Sequence, residues 1–164
     1  MAVREIRIYI DSTRYEVEAS LFSGDFEDDE AALLRVGVDA PEPERTEIKT
    51  VGTLRIDGGR AEISYDETEV TGMEGSRTAV SFDMKEPKVV TMMRSGPVST
   101  ALVFEKGKRH HCVYSTPYMP FEVCVRTLDV NNSIADKGIL ELDYIVEIRG
   151  ARAERTKFYM RIMD

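Results

Sequence analysis

At 164 residues and a formal charge of −8, the chain is the size of one domain with a substantial core. Nine acidic residues against two arginines in residues 24–47 give that stretch a net of −7 and leave −1 for everything else, so the acidity is local, and no broad basic surface exists for a nucleic acid. No basic-then-apolar leader opens the sequence and no apolar run approaches the ~18 residues that span a bilayer. The expectation is a soluble, cytoplasmic protein that binds neither nucleic acid nor membrane.

In chain order, Ile6, Ile8 and Ile10 alternate with Arg7 and Tyr9, the period of two that marks a strand, and Asp11 to Thr13 is expected to bend or end it. Residues 23–45 form an acidic excursion between two strands: residues 30–38 read equally as helix or strand, and Pro41 and Pro43 follow them. From Thr46 onward, turn signals recur every 8 to 15 residues or so, as in an all-β barrel or sandwich. Between them Val80, Phe82 and Met84 alternate with Ala79, Ser81 and Asp83. Leu140, Leu142, Tyr144, Val146 and Ile148 alternate with Glu141, Asp143 and Glu147, and Phe158, Met160 and Ile162 with Tyr159 and Arg161. One sheet face is wet and the other buried.

Short connections make successive strands antiparallel neighbours, and an open sheet of about ten strands would leave two long bare edges. Closure removes them. The sequence therefore predicts one domain over residues 1–164, all-β, an antiparallel meander β-barrel of about eight to ten strands, with a two-sheet sandwich as the alternative. Such a lumen holds either packed side chains or one small ligand.

The run from Phe104 to Thr127 gathers histidine, thiol, aromatic and charged side chains in a single hairpin. Proline interrupts it at Pro117 and Pro120. With the turn centred on Tyr118, Tyr114 faces Glu122, Cys112 faces Cys124 and His110 faces Arg126. His111 and Val113 then share the other face with Val123 and Val125. In a reducing compartment the two cysteines are expected as thiols, although a facing pair of this kind is able to oxidise where geometry permits.

The candidate ligand contacts are Arg94, Glu74, Tyr114, Tyr118, Glu122 and His110. Arg94 stands at a strand end before Ser95-Gly96, where a guanidinium can clamp a carboxylate or phosphate; the blander reading pairs it with an acid such as Glu74 or Glu122. Tyr114, Tyr118 and Phe121 either stack on a ligand or plug the barrel. His110, His111, Cys112 and Cys124 are metal-ligand types, but adjacent histidines on a strand point to opposite faces and no fourth ligand is nominated, so no metal or other cofactor is predicted. Glu141 and Asp143 on a wet face serve solubility rather than hydrolysis, and the basic cluster Lys106, Lys108, Arg109 and His110 reads as a solvated turn.

Taken as a set, residues 65–75 (YDETEVTGMEG), Arg94-Ser95-Gly96, Phe104-Glu105-Lys106-Gly107, His110, Cys112, the run from Tyr114 to Tyr118, Phe121-Glu122, Val125, Thr127 and LELDYIVEI resemble the YwiB-like family of small bacterial proteins of unknown function. The likeness covers residues 46–162. It implies a calycin-type barrel, akin to lipocalins and fatty-acid-binding proteins, and no activity. Tyr118-Met119 replaces the family's Tyr-Gly, residues 23–44 look like an insertion, and the chain has no Trp, which sets it apart from lipocalins with their Gly-x-Trp signature.

Two functions are consistent with this reading: a barrel binding a small amphipathic or anionic ligand, or a solid barrel acting as an interaction module or homodimer. An enzyme ranks behind both.

Overall fold

In a computed structural model that describes residues 2–17, 43–68, 71, 73–97, 99–115, 118–148 and 152–163, the alternating segments become ten strands. These are β1 (Ala2–Val17), β2 (Glu44–Asp57), β3 (Arg60–Asp66), β4 (Arg77–Asp83), β5 (Glu86–Ser95), β6 (Thr100–Glu105), β7 (Arg109–Ser115), β8 (Pro120–Ser133), β9 (Ile139–Ile148) and β10 (Arg152–Ile162). A single helical turn, α1 (Ile134–Lys137), joins β8 to β9 and ends at Gly138 in the left-handed conformation, φ 70°.

All ten strands belong to one sheet in the order β6-β5-β4-β3-β2-β1-β10-β9-β8-β7. Every neighbouring pair is antiparallel, and the sheet curls until its two edge strands meet. There Ser99 and Ser115 exchange backbone hydrogen bonds of 2.9 and 2.7 Å. The barrel is thus nearly closed. That bridge joins the two edges at one end, Gly107 N–H donates to the Thr127 carbonyl at 3.0 Å at the other, and among the described residues no ladder runs between β6 and β7. A two-sheet sandwich is ruled out by the single strand order.

Two local expectations are corrected. Asp11 to Thr13 does not end β1, because both neighbouring strands continue the ladder there: Asp11 pairs with Tyr159 and Glu47, and Thr13 with Lys157 and Arg45. The central hairpin is slipped by one residue. Ser115 pairs with Pro120, which leaves an even number of residues in the connection, so Tyr114 lies opposite Phe121, Cys112 opposite Val123, His111 opposite Cys124 and His110 opposite Val125. A one-residue slip turns one strand over relative to the other. Cys112 and Cys124 consequently lie on opposite sides of the wall as free thiols. Residues 30–38, and the excursion up to residue 42, lie outside the described residues.

Opposed residues in an antiparallel ladder face the same side, so the interior is organised in rows around the wall. One row runs Leu102, Met92, Val80, Ile63, Leu54, and is apolar throughout. These five residues are 0 to 7 % exposed. Phe104 and Val90 continue this packing toward α1, and the Phe104 ring lies 4.5 Å from that of Tyr144.

The neighbouring row, one step toward the other end, is Thr100, Arg94, Thr78, Tyr65, Gly52. Gly52 is there because any side chain would collide: a Cβ would stand 2.5 Å from Ile8 Cδ1 and 2.6 Å from the Ser64 carbonyl oxygen. On the outer wall a smaller cluster of Val17, Ile145 and Ala153 is also buried, as is Arg126, whose burial pulls its pKa below the usual arginine value.

Candidate functional site

Three strands end their inward series on a polar residue at the same rim. Ala61, Ile63 and Tyr65 lead to Glu67; Phe82 and Val80 lead to Thr78; Val90 and Met92 lead to Arg94. The result is a hydrogen-bonded cluster set into an apolar wall. Arg94 Nε donates to Thr78 Oγ1 at 3.1 Å, and Nη2 lies 3.4 Å from Glu67 Oε1. Thr78 Oγ1 in turn donates to Glu67 Oε1 at 2.5 Å. Thr71 Oγ1 is 3.0 Å from Glu67 Oε2 and 2.9 Å from the Thr68 carbonyl oxygen. The Arg94 and Glu67 side chains are 11 % and 2 % exposed. An ion pair this deep would be costly without the two threonine hydroxyls that complete the carboxylate's hydrogen bonds.

The loop carrying Glu67, Thr71 and Met73 is held in place by backbone contacts. Glu67 N–H donates to the Ser76 carbonyl at 2.8 Å and Ser76 N–H to Met73 at 3.0 Å. The β5–β6 connection lies against it at Gly96, whose φ of 126° suits glycine and whose Cβ would be 2.8 Å from the Gly75 carbonyl oxygen.

Above this cluster the lumen is hollow. A cavity of about 320 Å³ is walled by Ile10, Ile48, Met73, Met92, Leu102, Val123, Val146 and Phe158. Its polar groups come from Ser12, Arg14, Thr46, Tyr65, Glu67, Thr71, Arg94, Tyr114, Tyr144, Glu154 and Thr156. This is the lower end of the roughly 300–1,000 Å³ range of small-molecule sites. A second hollow, of about 370 Å³, lies under α1 and is lined by Leu54, Ile56, Ala61, Phe82, Ile134 and Ile162 together with Arg4, Met84 and residues 135–138. None of the buried polar residues lines it, so of these two cavities it is the first that combines an apolar wall with convergent polar groups.

Burial shifts two of the cavity's tyrosines. Tyr65 is pushed well above the usual phenol range by burial and then by the neighbouring Glu67, with Arg94 opposing. Burial likewise raises Tyr144. Both therefore remain hydroxyl donors. Burial also raises Cys112 and Cys124, the opposite of what activates a thiol.

Of the six residues singled out from sequence, Arg94 and Tyr114 line the cavity. Glu74 is exposed in the loop above, and the carboxylate on Arg94 is Glu67. Tyr118 is 94 % exposed. Glu122 points outward beside Val113, a consequence of the hairpin slip. His110 faces inward near the α1 end, with Nε2 buried, 3.9 Å from Glu105 Oε1 and outside hydrogen-bonding range of it. Glu67, Thr71 and Thr78 were not anticipated, although Glu67 continues the parity of Ile63 and Tyr65, the signal that would have found it. Among the described residues no group of three or more His, Cys, Asp or Glu is placed to hold a metal ion, and no helix is long and apolar enough to cross a membrane.

The structure resembles the crystal structure of the ywiB protein from Bacillus subtilis, with a TM-score of 0.63 and 15 % identity over 99 % of this chain and 96 % of that one. At that identity the likeness speaks for the fold alone. Among curated proteins none matches in sequence. Residues 35–160, however, match the family described as a domain of unknown function, DUF1934, and with so much of its length matched the chain belongs to that YwiB-like family.

Proposed function

We propose that this protein is a cytoplasmic binding protein that takes up a small amphipathic molecule in the open half of its barrel. The observation that carries the reading is the 320 Å³ cavity, apolar on much of its wall and lined also by the Arg94–Glu67 pair and three tyrosines. An apolar body fills the walled space, and a polar group meets the hydrogen-bonding cluster.

Native mass spectrometry of protein purified from cells is expected to show a small molecule bound. A thermal-shift screen of amphipathic metabolites should raise Tm. Ile48→Trp, which projects a ring into the lumen, should abolish both signals while the barrel still folds. A protein that is always empty and shifts with no compound, or an Ile48→Trp variant that binds as before, would sink the proposal.

A second reading, a homodimer, has one observation in its favour. Met93 and Val113, 55 % and 53 % exposed, lie on the outer wall on either side of the seam, an apolar flank beside two edge strands that no ladder joins among the described residues. Light scattering decides it: a dimer that Val113→Lys makes monomeric supports it, and a monomer at all concentrations removes it.

A further inference from the structure

Arg94 is not a free cation. Its positive charge is matched by Glu67 at 3.4 Å. The Thr78 hydroxyl donates a further hydrogen bond to the same carboxylate, at 2.5 Å. Two of the three guanidinium nitrogens are engaged, Nε by Thr78 and Nη2 by Glu67, with Met92 Sδ at 3.9 Å. Nη1 carries the remaining N–H groups, and no described residue takes them. Of the other charges on the cavity wall, Arg14 is paired with Glu44 at 3.3 Å and Glu154 brings a carboxylate of its own. The lumen therefore offers hydrogen-bond donors without net positive charge.

That balance decides what the donors accept. An anionic head at Arg94 Nη1 would lose its hydration and sit close to a carboxylate that is 2 % exposed, so the attraction to one charge is offset by repulsion from the other. A carbonyl or amide oxygen takes the same N–H groups with neither penalty. We infer that the cavity selects an uncharged hydrogen-bond acceptor on an apolar body, and that Glu67 is the residue that discriminates against the carboxylate of the same shape. This narrows the amphipathic-or-anionic expectation to its neutral branch, and it rests on the lumen being a binding site.

The test uses two probes with one tail, decanamide and decanoate, titrated into the full-length protein at neutral pH by calorimetry or by displacement of Nile red. Decanamide is expected to bind about tenfold tighter or more, as rejection by an unfavourable charge contact requires. Glu67→Gln keeps the side-chain shape and removes the charge; it should tighten decanoate about tenfold while decanamide changes by less than about threefold. If the wild-type protein binds decanoate as tightly as decanamide, or a folded Glu67→Gln variant leaves the ratio unchanged, the selectivity claim is overturned and lumen binding stands. If neither probe binds, both fall. Should Glu67→Gln not fold, the wild-type ratio still decides.

Discussion

The two ends of the barrel are built from the same strands and differ in what their inward rows carry. Toward α1, the rows carry apolar side chains, Phe82, Phe104, Val80, Val90, Ile63 and Leu140, each at most 2 % exposed, and none of the buried polar residues lines the hollow under the helix. Toward the opposite rim, the same alternation delivers Glu67, Thr78, Arg94, Thr156 and Tyr114, and the space between them is a cavity. The hydrophobic end holds the sheet in its curled form; the polar end can carry a buried ion pair because the rest of the core already does so. Binding sites are commonly placed on a scaffold stabilised elsewhere.

Truncation at each end separates the two. Phe104→Ala removes a ring that is 0 % exposed and packed on Tyr144, and is expected to cost about 3–5 kcal/mol in urea unfolding, the range of buried aromatic truncations. Ile48→Ala, on the cavity wall, opens no new void and should cost about 1 kcal/mol. Equal losses would mean that the mouth is as closely packed as the α1 end, and the distinction would fail.

The ion pair at the rim gives the next largest effect. Arg94→Met leaves Glu67 buried without its counter-charge, and breaking such pairs from one side costs about 3 kcal/mol. The double variant Arg94→Met with Glu67→Gln removes both charges, and should recover about 1–3 kcal/mol of that loss as the coupling between them. Additive single and double effects, measured by chemical denaturation, would show that the two residues do not stabilise one another, and the polar cluster would then be merely tolerated.

Much of this was legible from period-two alternation. Ile6, Ile8, Ile10, Val80, Phe82, Leu140 and Leu142 point inward as expected, and meander closure followed from the spacing of turns and the cost of bare edges. Arg94 and Tyr114, which line the cavity, were singled out because a polar or aromatic residue beside a turn stands out. Glu67 was hidden among the acids and polar residues around it, because a carboxylate's burial depends on donors from other strands, Thr78 and Arg94, which no local pattern announces. The hairpin register failed on a single residue of loop length, and that slip sent Glu122 outside. Buried Ile145 and Arg126 mark a further limit: alternation says which side of the wall a residue takes, but not what lies over it.

The smallest effect belongs to the outer wall, where polar groups are paired but wet. Arg45 makes two hydrogen bonds to Asp11, Nε to Oδ1 at 3.1 Å and Nη2 to Oδ2 at 2.8 Å, and the side chains are 58 % and 24 % exposed. The hydrogen bonds from Arg45 hold the Asp11 carboxyl below its usual value, burial opposes them, and the guanidinium charge adds to the lowering. A lowered folded-state value means that the unfolded chain takes up a proton first as the solution is acidified. The stabilisation is therefore fully present above about pH 5, beyond the ordinary carboxylate range, and is lost as pH falls through the folded-state value. Solvent screening keeps it small. Asp11→Asn should lower Tm slightly at neutral pH, far less than Phe104→Ala, and the gap to the wild-type protein should close as pH is taken toward 3. A gap that persists unchanged into acid would place the effect in hydrogen-bond shape rather than charge, and a gap as large as that of Arg94→Met would erase the difference between a charge held inside the barrel and one held on its surface.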